Sequence, residues 1–355
     1  MADKAKRIAG YDLARGLAVL GMFIMNFKIV MQGGEQTAEG FWPVLLVAGE
    51  GRFAVLFIVL AGIGVSLMTR RPRMTGDRIM LWQKKTLLIR RAVFLFFAGL
   101  LFFPVWEADI LHYYGIYIGL AVFILTWSDR QLWAAASVVT LIFVVLFIFF
   151  DWEQGWDWHS LSYTGFWTPA GNLSHTLFNG FHPLFPWFAF FIFGMILGRY
   201  DWTDRGLRRL GFRAALAVTL VCETVSYLWA PAMVPSGNAF WLSTLSFPPF
   251  PLFVLSGGAS SLAVILVCIL ITEKIPLRWL NPLIYTGQMV LTHYIFHVII
   301  AMAVLEGMGR LYNQPLGFAV TVAAGYFFLS ILFSLLWRAK FTKGPMETVM
   351  RKICG

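Results

Sequence analysis

Charge is scarce in this chain. Only 13% of its residues are Asp, Glu, Lys or Arg, about half the share of an ordinary soluble domain, which excludes a water-covered globular surface. Cysteine is nearly absent as well. Cys222, Cys268 and Cys354 form no CxxC pair, so neither a disulfide framework nor a cysteine-based metal site is expected. The six histidines are scattered, no HExxH segment places a glutamate between two of them, and no metal is expected. No small-residue cleavage site follows the first apolar run, which reads as an uncleaved anchor.

What fills the chain is apolar: 59% of its 355 residues are hydrophobic and 17% aromatic. The apolar residues fall into about ten runs, near 11–31, 52–69, 88–105, 109–127, 131–150, 184–199, 211–230, 249–272, 280–303 and 316–338. Such runs suit a hydrocarbon core of roughly 30 Å. The expectation is an all-α polytopic membrane protein, 1–355 forming one integral membrane domain. Gly49-Glu50-Gly51 and Phe247-Pro248-Pro249 are expected to interrupt spans, which is tolerated only against protein or a wet cavity.

Of the 28 basic residues, 25 lie at the termini or on one set of alternating loops; the others are Lys28, Arg52 and Arg310. Basic loops mark the cytoplasmic side, so both termini, with the tail 339–355, are expected there. The net charge of +10 therefore reflects topology, and no nucleic-acid partner is implied. The longest outer loop, 151–183, has Trp152, Trp156, Trp158 and Trp167 among Asp151, Glu153 and Asp157, and no basic residue. It reads as an interfacial helix anchored by aromatics in preference to a sugar-stacking platform.

Ionisable groups inside a membrane are costly and mark candidate sites. On the first span Asp12, Arg15 and Asn26 share one stripe, since residues eleven apart differ by about 20° around a helix. A helix-end ion pair of Asp12 with Arg15 or Arg7 is the structural alternative. Most other polar groups gather in the expected outer half: Lys28, Glu50, Arg52, Asp109, His112, His182, Glu223, His293 and His297. Asp109, three residues before His112, could hold an imidazole tautomer for general-base chemistry, or simply favour a helix N-terminus. His293 and His297 are one turn apart, and Gln288 and Thr292 form a second such pair on an adjoining face. His182 precedes Pro183 at a helix entry and could be only a loop residue.

Several stretches together carry a family resemblance: Arg7-Ile-Ala-Gly-Tyr-Asp12-Leu-Ala-Arg15-Gly16, Glu50-Gly-Arg52-Phe, Ala108-Asp109-Ile-Leu-His112-Tyr-Tyr, Gly287-Gln-Met-Val-Leu-Thr292-His293-Tyr294 and Lys343-Gly344-Pro345-Met-Glu347. In that order they resemble the YeiB-type family of bacterial membrane proteins. It is similar to a wider transmembrane acyltransferase superfamily that includes heparan-alpha-glucosaminide N-acetyltransferase and the O-acyltransferases of acyltransferase family three. The resemblance implies about ten helices around a central cavity in the bacterial cytoplasmic (inner) membrane. It also implies acyl transfer from a cytoplasmic donor, often acetyl-CoA, to an acceptor across the membrane. One departure matters. The heparan-type enzymes have a histidine in a His-Ala-x-Trp-Asn-Gly setting after the first span, whereas this chain has Gln36-Thr-Ala-Glu39-Gly40-Phe-Trp42. An acyl-histidine intermediate at that place is excluded.

The leading expectation is an integral membrane acyltransferase with no permanently bound cofactor and acyl-CoA as co-substrate. Arg70, Arg71, Arg90 and Arg91, with Arg73, Lys84 and Lys85, would attract the donor's phosphates, or serve topology alone. The donor arm would pass Asp12 and Arg15. His112 oriented by Asp109, or His293, would act as base, with His182 and Glu50 further catalytic candidates. Arg52, Asn26 or Lys28 would stabilise the oxyanion, and Glu223, His297 and Gln288 would contact the acceptor, a glycan, lipid-linked or small molecule. Membrane lipids are expected partners, and homodimerisation is left open. The same polar cavity would serve a transporter or flippase of an amphipathic or anionic solute, or a non-catalytic partner in envelope assembly.

Overall fold

A computed structural model describes residues 8–32, 49–157, 161–230, 232–233 and 239–355; Arg7, the 36–42 stretch and Trp158 lie outside them. The first half of the fold comprises α1 (Ala9–Gln32), α2 (Arg52–Thr75), α3 (Arg78–Phe102), α4 (Leu111–Ile124), α5 (Asp129–Phe149), α6 (Pro169–Ser174) and α7 (Leu184–Leu197). The second half comprises α8 (Arg205–Trp229), α9 (Pro251–Lys274), α10 (Leu277–Gly287), α11 (Val290–Phe296), α12 (Ala303–Gly307), α13 (Leu316–Arg338) and α14 (Pro345–Cys354). Extended structure among the described residues is a two-residue antiparallel pair, Trp156–Asp157 with Ser162–Tyr163.

The chain is an all-α polytopic membrane protein. Seven described helical segments are long and apolar enough to cross a membrane: α1, α2, α5, α8, α9, α13 and Val290–Gly307. Pro169–Asn179 with Leu184–Leu197, bent by 48°, makes an eighth if counted as one span. Each of the ten expected runs falls on a helix, but two are not full spans by this measure. The first half of α3 carries Arg78, Lys84, Lys85, Arg90 and Arg91. α4 has 14 residues, about 21 Å of helix.

Local signals explain several boundaries. Asp77 accepts the Met80 amide at 2.8 Å before α3, Asp204 accepts that of Leu207 at 2.7 Å before α8, and Ser128 with Gln131 forms a capping box at α5, each satisfying an otherwise orphaned helix donor. The expected interruptions prove to be helix boundaries. Gly51, at φ 71°, ends the turn before α2, a left-handed conformation that glycine adopts without strain. Pro248 and Pro249 precede α9, whose first residue is Pro251, where a missing N–H costs nothing.

The actual break lies in the run expected at 280–303. α10 ends at Gly287 and α11 starts at Val290, while Pro282 sits inside α10. Gln288 therefore terminates one helix and Thr292 lies in the first turn of the next, so they form no i,i+4 pair.

α1 is the hub, with α2, α9, α10 and α13 packed around it, and α7 lies between α2 and α5. Half of the α1 span is buried, against 11% for α8, which leaves α8 at the periphery. Glycines set the closest crossings. A Cβ on Gly62 would lie 2.1 Å from the Phe191 carbonyl oxygen, and one on Gly194 would lie 2.1 Å from that of Val59. Small residues let helix backbones touch in this way. Gly194→Val is expected to force α2 and α7 apart at a cost of about 3 kcal/mol, read as early thermal unfolding in detergent; an unchanged midpoint would refute the close contact.

Candidate functional site

The turn between α3 and α4 carries Asp109 into the interior, with no exposed surface. Its Oδ2 lies 2.8 Å from His112 Nδ1 and accepts the His112 backbone N–H at 3.1 Å; its Oδ1 accepts the Tyr294 hydroxyl at 2.8 Å. The Tyr294 oxygen in turn accepts the Ile110 amide at 3.2 Å. One carboxylate thus serves three donors and joins α4 to α11. Gly99 makes room for it, since a Cβ there would meet the His112 nitrogen at 2.3 Å. A carboxylate at Nδ1 places the neutral imidazole's proton there and leaves Nε2 as a lone pair. That Nε2 is buried without a hydrogen-bond partner among the described residues.

Beside it lies a histidine that the sequence reading did not single out. α6 widens into a π turn, His175–Asn179, a bulge often found at functional sites. His175 there stacks on His112, ring centroids 6.3 Å apart, with its Nδ1 3.0 Å from the Tyr113 hydroxyl oxygen and its Nε2 also unpartnered. His182 packs edge-on against Trp187 at 4.7 Å, and its carbonyl accepts the Tyr117 hydroxyl. Tyr113 and Tyr294 went unread as well, although each adjoins a singled-out histidine in sequence.

A cavity of about 640 Å³ opens next to this cluster. Its polar lining includes Asn26, Lys28, Glu50, His182 and Tyr294; Trp152, Glu153 and residues 245–248 from two loops close part of it. Lys28 pairs with Glu50 at 3.2 Å. Asn26 Nδ2 donates to His297 Nε2 at 2.8 Å, while His297 Nδ1 bonds the Tyr294 carbonyl. An ammonium, a carboxylate, an amide, an imidazole and a phenol thus face one volume with apolar walls, suited to a polar group carried on a larger apolar or ring-shaped molecule.

Several expected site residues lie elsewhere. Arg52 turns away from the cavity and binds Glu223, Ser256 at 2.9 Å and Ser260 at 3.3 Å; Glu223 also accepts Thr244 at 2.8 Å. A guanidinium drawn to a carboxylate and two hydroxyls clasps α2 to α8 and α9, and neither Arg52 nor Glu223 is among the residues that line the cavity. His293 bonds Ser334 on α13 at 2.8 Å and, like His112, does not line the cavity. Gln288 donates to Asp12 at 3.2 Å, because the helix break removes it from the His293 face. Asp12 and Arg15 form an ion pair at 2.8 Å, separate from the cavity lining. Arg70, Arg71 and Arg90 are exposed and Arg91 half-buried.

The outer loop differs from an interfacial helix. Trp152 is buried, Trp156 donates its indole N–H to the Asn179 carbonyl at 2.7 Å, and only Trp167 among the three described tryptophans is well exposed. Its polar backbone pairs internally, turning the rings inward as a roof. Beneath the loop, burial pushes the Glu107 carboxyl up, opposed by the Tyr163 amide that it accepts at 2.8 Å. Among the described residues no three His, Cys, Asp or Glu side chains converge as metal ligands.

Two family models match the chain. The one described as "Heparan-alpha-glucosaminide N-acetyltransferase, catalytic" covers residues 7–228, and the one described as "Protein of unknown function (DUF418)" covers 197–354. The chain is 23% identical to a protein of Escherichia coli (strain K12) named "Uncharacterized protein YeiB", over 96% of this chain and 94% of that one. No solved structure matches it.

Proposed function

Because the chain belongs to the membrane acyltransferase-like family described by the heparan-alpha-glucosaminide N-acetyltransferase catalytic model, in its YeiB-type branch, we propose that it transfers an acyl group to an acceptor held in the 640 Å³ cavity. The donor is an acyl-CoA, acetyl-CoA being the simplest. It approaches from the cytoplasmic face of a bacterial inner membrane, where most basic residues lie. The acceptor is an amine or hydroxyl, as on an aminosugar or a lipid-linked glycan. The observation that carries this reading is the cavity itself, which presents one imidazole together with hydrogen-bond donors to a single volume.

In the proposed step the acceptor's N–H or O–H loses its proton to His182, the histidine on the cavity wall, as its nitrogen or oxygen bonds to the thioester carbonyl carbon. The Asn26 amide and the Lys28 ammonium donate to the oxyanion. The C–S bond then breaks, and the thiolate leaves with the proton from His182. Tyr294, whose proton goes to Asp109, offers the acceptor only its hydroxyl oxygen, as a hydrogen-bond acceptor; His112 acts on it only through Asp109.

Purified protein in liposomes should release CoA from acetyl-CoA only when a glucosamine-bearing oligosaccharide is supplied. His182→Ala should slow that release at least ~100-fold, the lower range for loss of a general base. The two bent or broken spans are also features of transporters. Movement of labelled oligosaccharide without CoA release, undiminished in His182→Ala, would replace acyl transfer with transport.

A further inference from the structure

A second cavity, which shares no lining residue with the first, lies between the start of α8 and the end of α9, with a volume of about 470 Å³. Its lining contains Arg205, Arg208, Arg209, Arg213 and Lys274 against a single carboxylate, Glu273. That carboxylate is already committed: Arg208 donates to both Glu273 oxygens at 2.7 Å and to the Trp202 carbonyl at 3.1 Å. Arg208 is buried, so this bidentate pair is a fixed wall. The nearest acidic groups along the chain are also engaged, Asp204 with the Leu207 amide at 2.7 Å and Asp201 with Thr203 at 2.7 Å.

Four cations therefore remain. Arg205, Arg209, Arg213 and Lys274 have no hydrogen-bond or ion-pair partner among the described residues. The three arginines recur every fourth residue and share one face of α8, over about 12 Å of helix. The rest of the lining is apolar, from Phe212, Leu266, Val267 and Leu270. Val267 and Leu270 keep 38% exposure each, where α9 meets the peripheral helix α8, a surface that suits acyl chains.

We propose that this groove is a binding site for an anionic phospholipid. The phosphate would lie among Arg205, Arg209, Arg213 and Lys274, and an acyl chain along Val267 and Leu270. Guanidinium groups grip phosphate oxygens by paired N–H bonds, and basic pockets between spanning helices favour anionic headgroups. The apolar half of the lining argues for a lipid over a soluble phosphate, which would use only the basic half. The position at the edge of the bundle allows entry from the bilayer without passing the 640 Å³ cavity.

The test measures exchange of fluorescent phosphatidylglycerol and phosphatidylcholine onto the purified full-length protein in detergent. Arg209→Gln/Arg213→Gln is compared with Arg351→Gln/Lys352→Gln, which removes the same charge from an exposed site on α14. Phosphatidylglycerol should bind in preference. The groove variant should weaken it about tenfold or more, from the loss of two cations near the headgroup, and the control variant should not. Arg209→Lys/Arg213→Lys, which keeps the charge, should restore most of the binding and covers the case in which the glutamine pair fails to fold. Equal binding of the two lipids, or equal loss in the control, would overturn the proposal. So would inorganic pyrophosphate displacing phosphatidylglycerol while binding as tightly in lipid-free micelles, which would assign the groove to a soluble anion.

Discussion

Asp109→Ala is expected to cost about 3–5 kcal/mol of folding free energy, from three buried donors left unpaired. The carboxylate has no exposed surface and receives the His112 imidazole, the His112 amide and the Tyr294 hydroxyl. Alanine strands all three donors in an apolar interior, where each unmade bond costs about 1–3 kcal/mol. It also cuts the polar link between the entrance of α4 and α11. Asp109→Asn should fold better, because its carbonyl oxygen still accepts one or two of these donors. Its NH₂ group must face another donor, so the imidazole tautomer is no longer held. The expected order of thermal midpoints in detergent is wild type, then Asn, then Ala. An alanine variant melting with the wild type would show that the network stabilises nothing.

The Asp109–His112 pair was legible in the sequence because an i,i+3 spacing at a helix start has local geometry. The Arg52–Glu223 and Lys28–Glu50 pairs were not. Their members stood out as ionisable residues at membrane depth, but separations of 171 and 22 residues carry no geometry until helices pack. Arg52 shows the consequence: a lone cation in a span reads as an oxyanion donor, and packing supplies Glu223 and two serines that absorb it. His175 was invisible for a different reason. It sits in a Trp-rich stretch that reads as an outer loop, and the π turn that buries it has no composition signal. The helices themselves were readable from apolar run length. The break at Gln288 was not, because the nearby proline, Pro282, continues its helix, and the break follows from tertiary contacts at Gly287, where a Cβ would lie 1.9 Å from the Asp12 carbonyl oxygen.

The other side of that break is held by the C-terminal helix, and Glu347→Ala should release it. α11 begins without a side-chain cap of its own; Met289 occupies that position. Glu347 of α14 supplies the cap from 55 residues away, accepting the Thr292 N–H at 3.2 Å and the Thr292 hydroxyl at 2.6 Å. Thr292 Oγ1 in turn accepts the Met346 amide at 3.1 Å. A carboxylate at a helix N-terminus meets both free N–H groups and the positive end of the dipole. Gly344 permits the approach, since a Cβ there would lie 2.1 Å from Glu347 Oε2. Loss of two hydrogen bonds, at about 1–1.5 kcal/mol each, should cost about 2–3 kcal/mol. It should show as rapid amide exchange in both α14 and the first turn of α11.

The same carboxyl has a pH signature with a definite sign. Burial pushes the Glu347 carboxyl up, against the opposing pull of its bonds to Thr292. An acid whose folded value lies above its unfolded one binds its proton more tightly when folded. Its contribution is therefore complete below the unfolded value and is lost as pH rises through the folded value. The wild-type protein should lose stability from this group as pH rises from acid toward neutrality. Glu347→Gln keeps one acceptor for Thr292 and removes the titration, so the difference in midpoint between wild type and Gln should change with pH in that direction. Parallel pH curves for the two proteins would mean that Glu347 is not desolvated at the α11 cap.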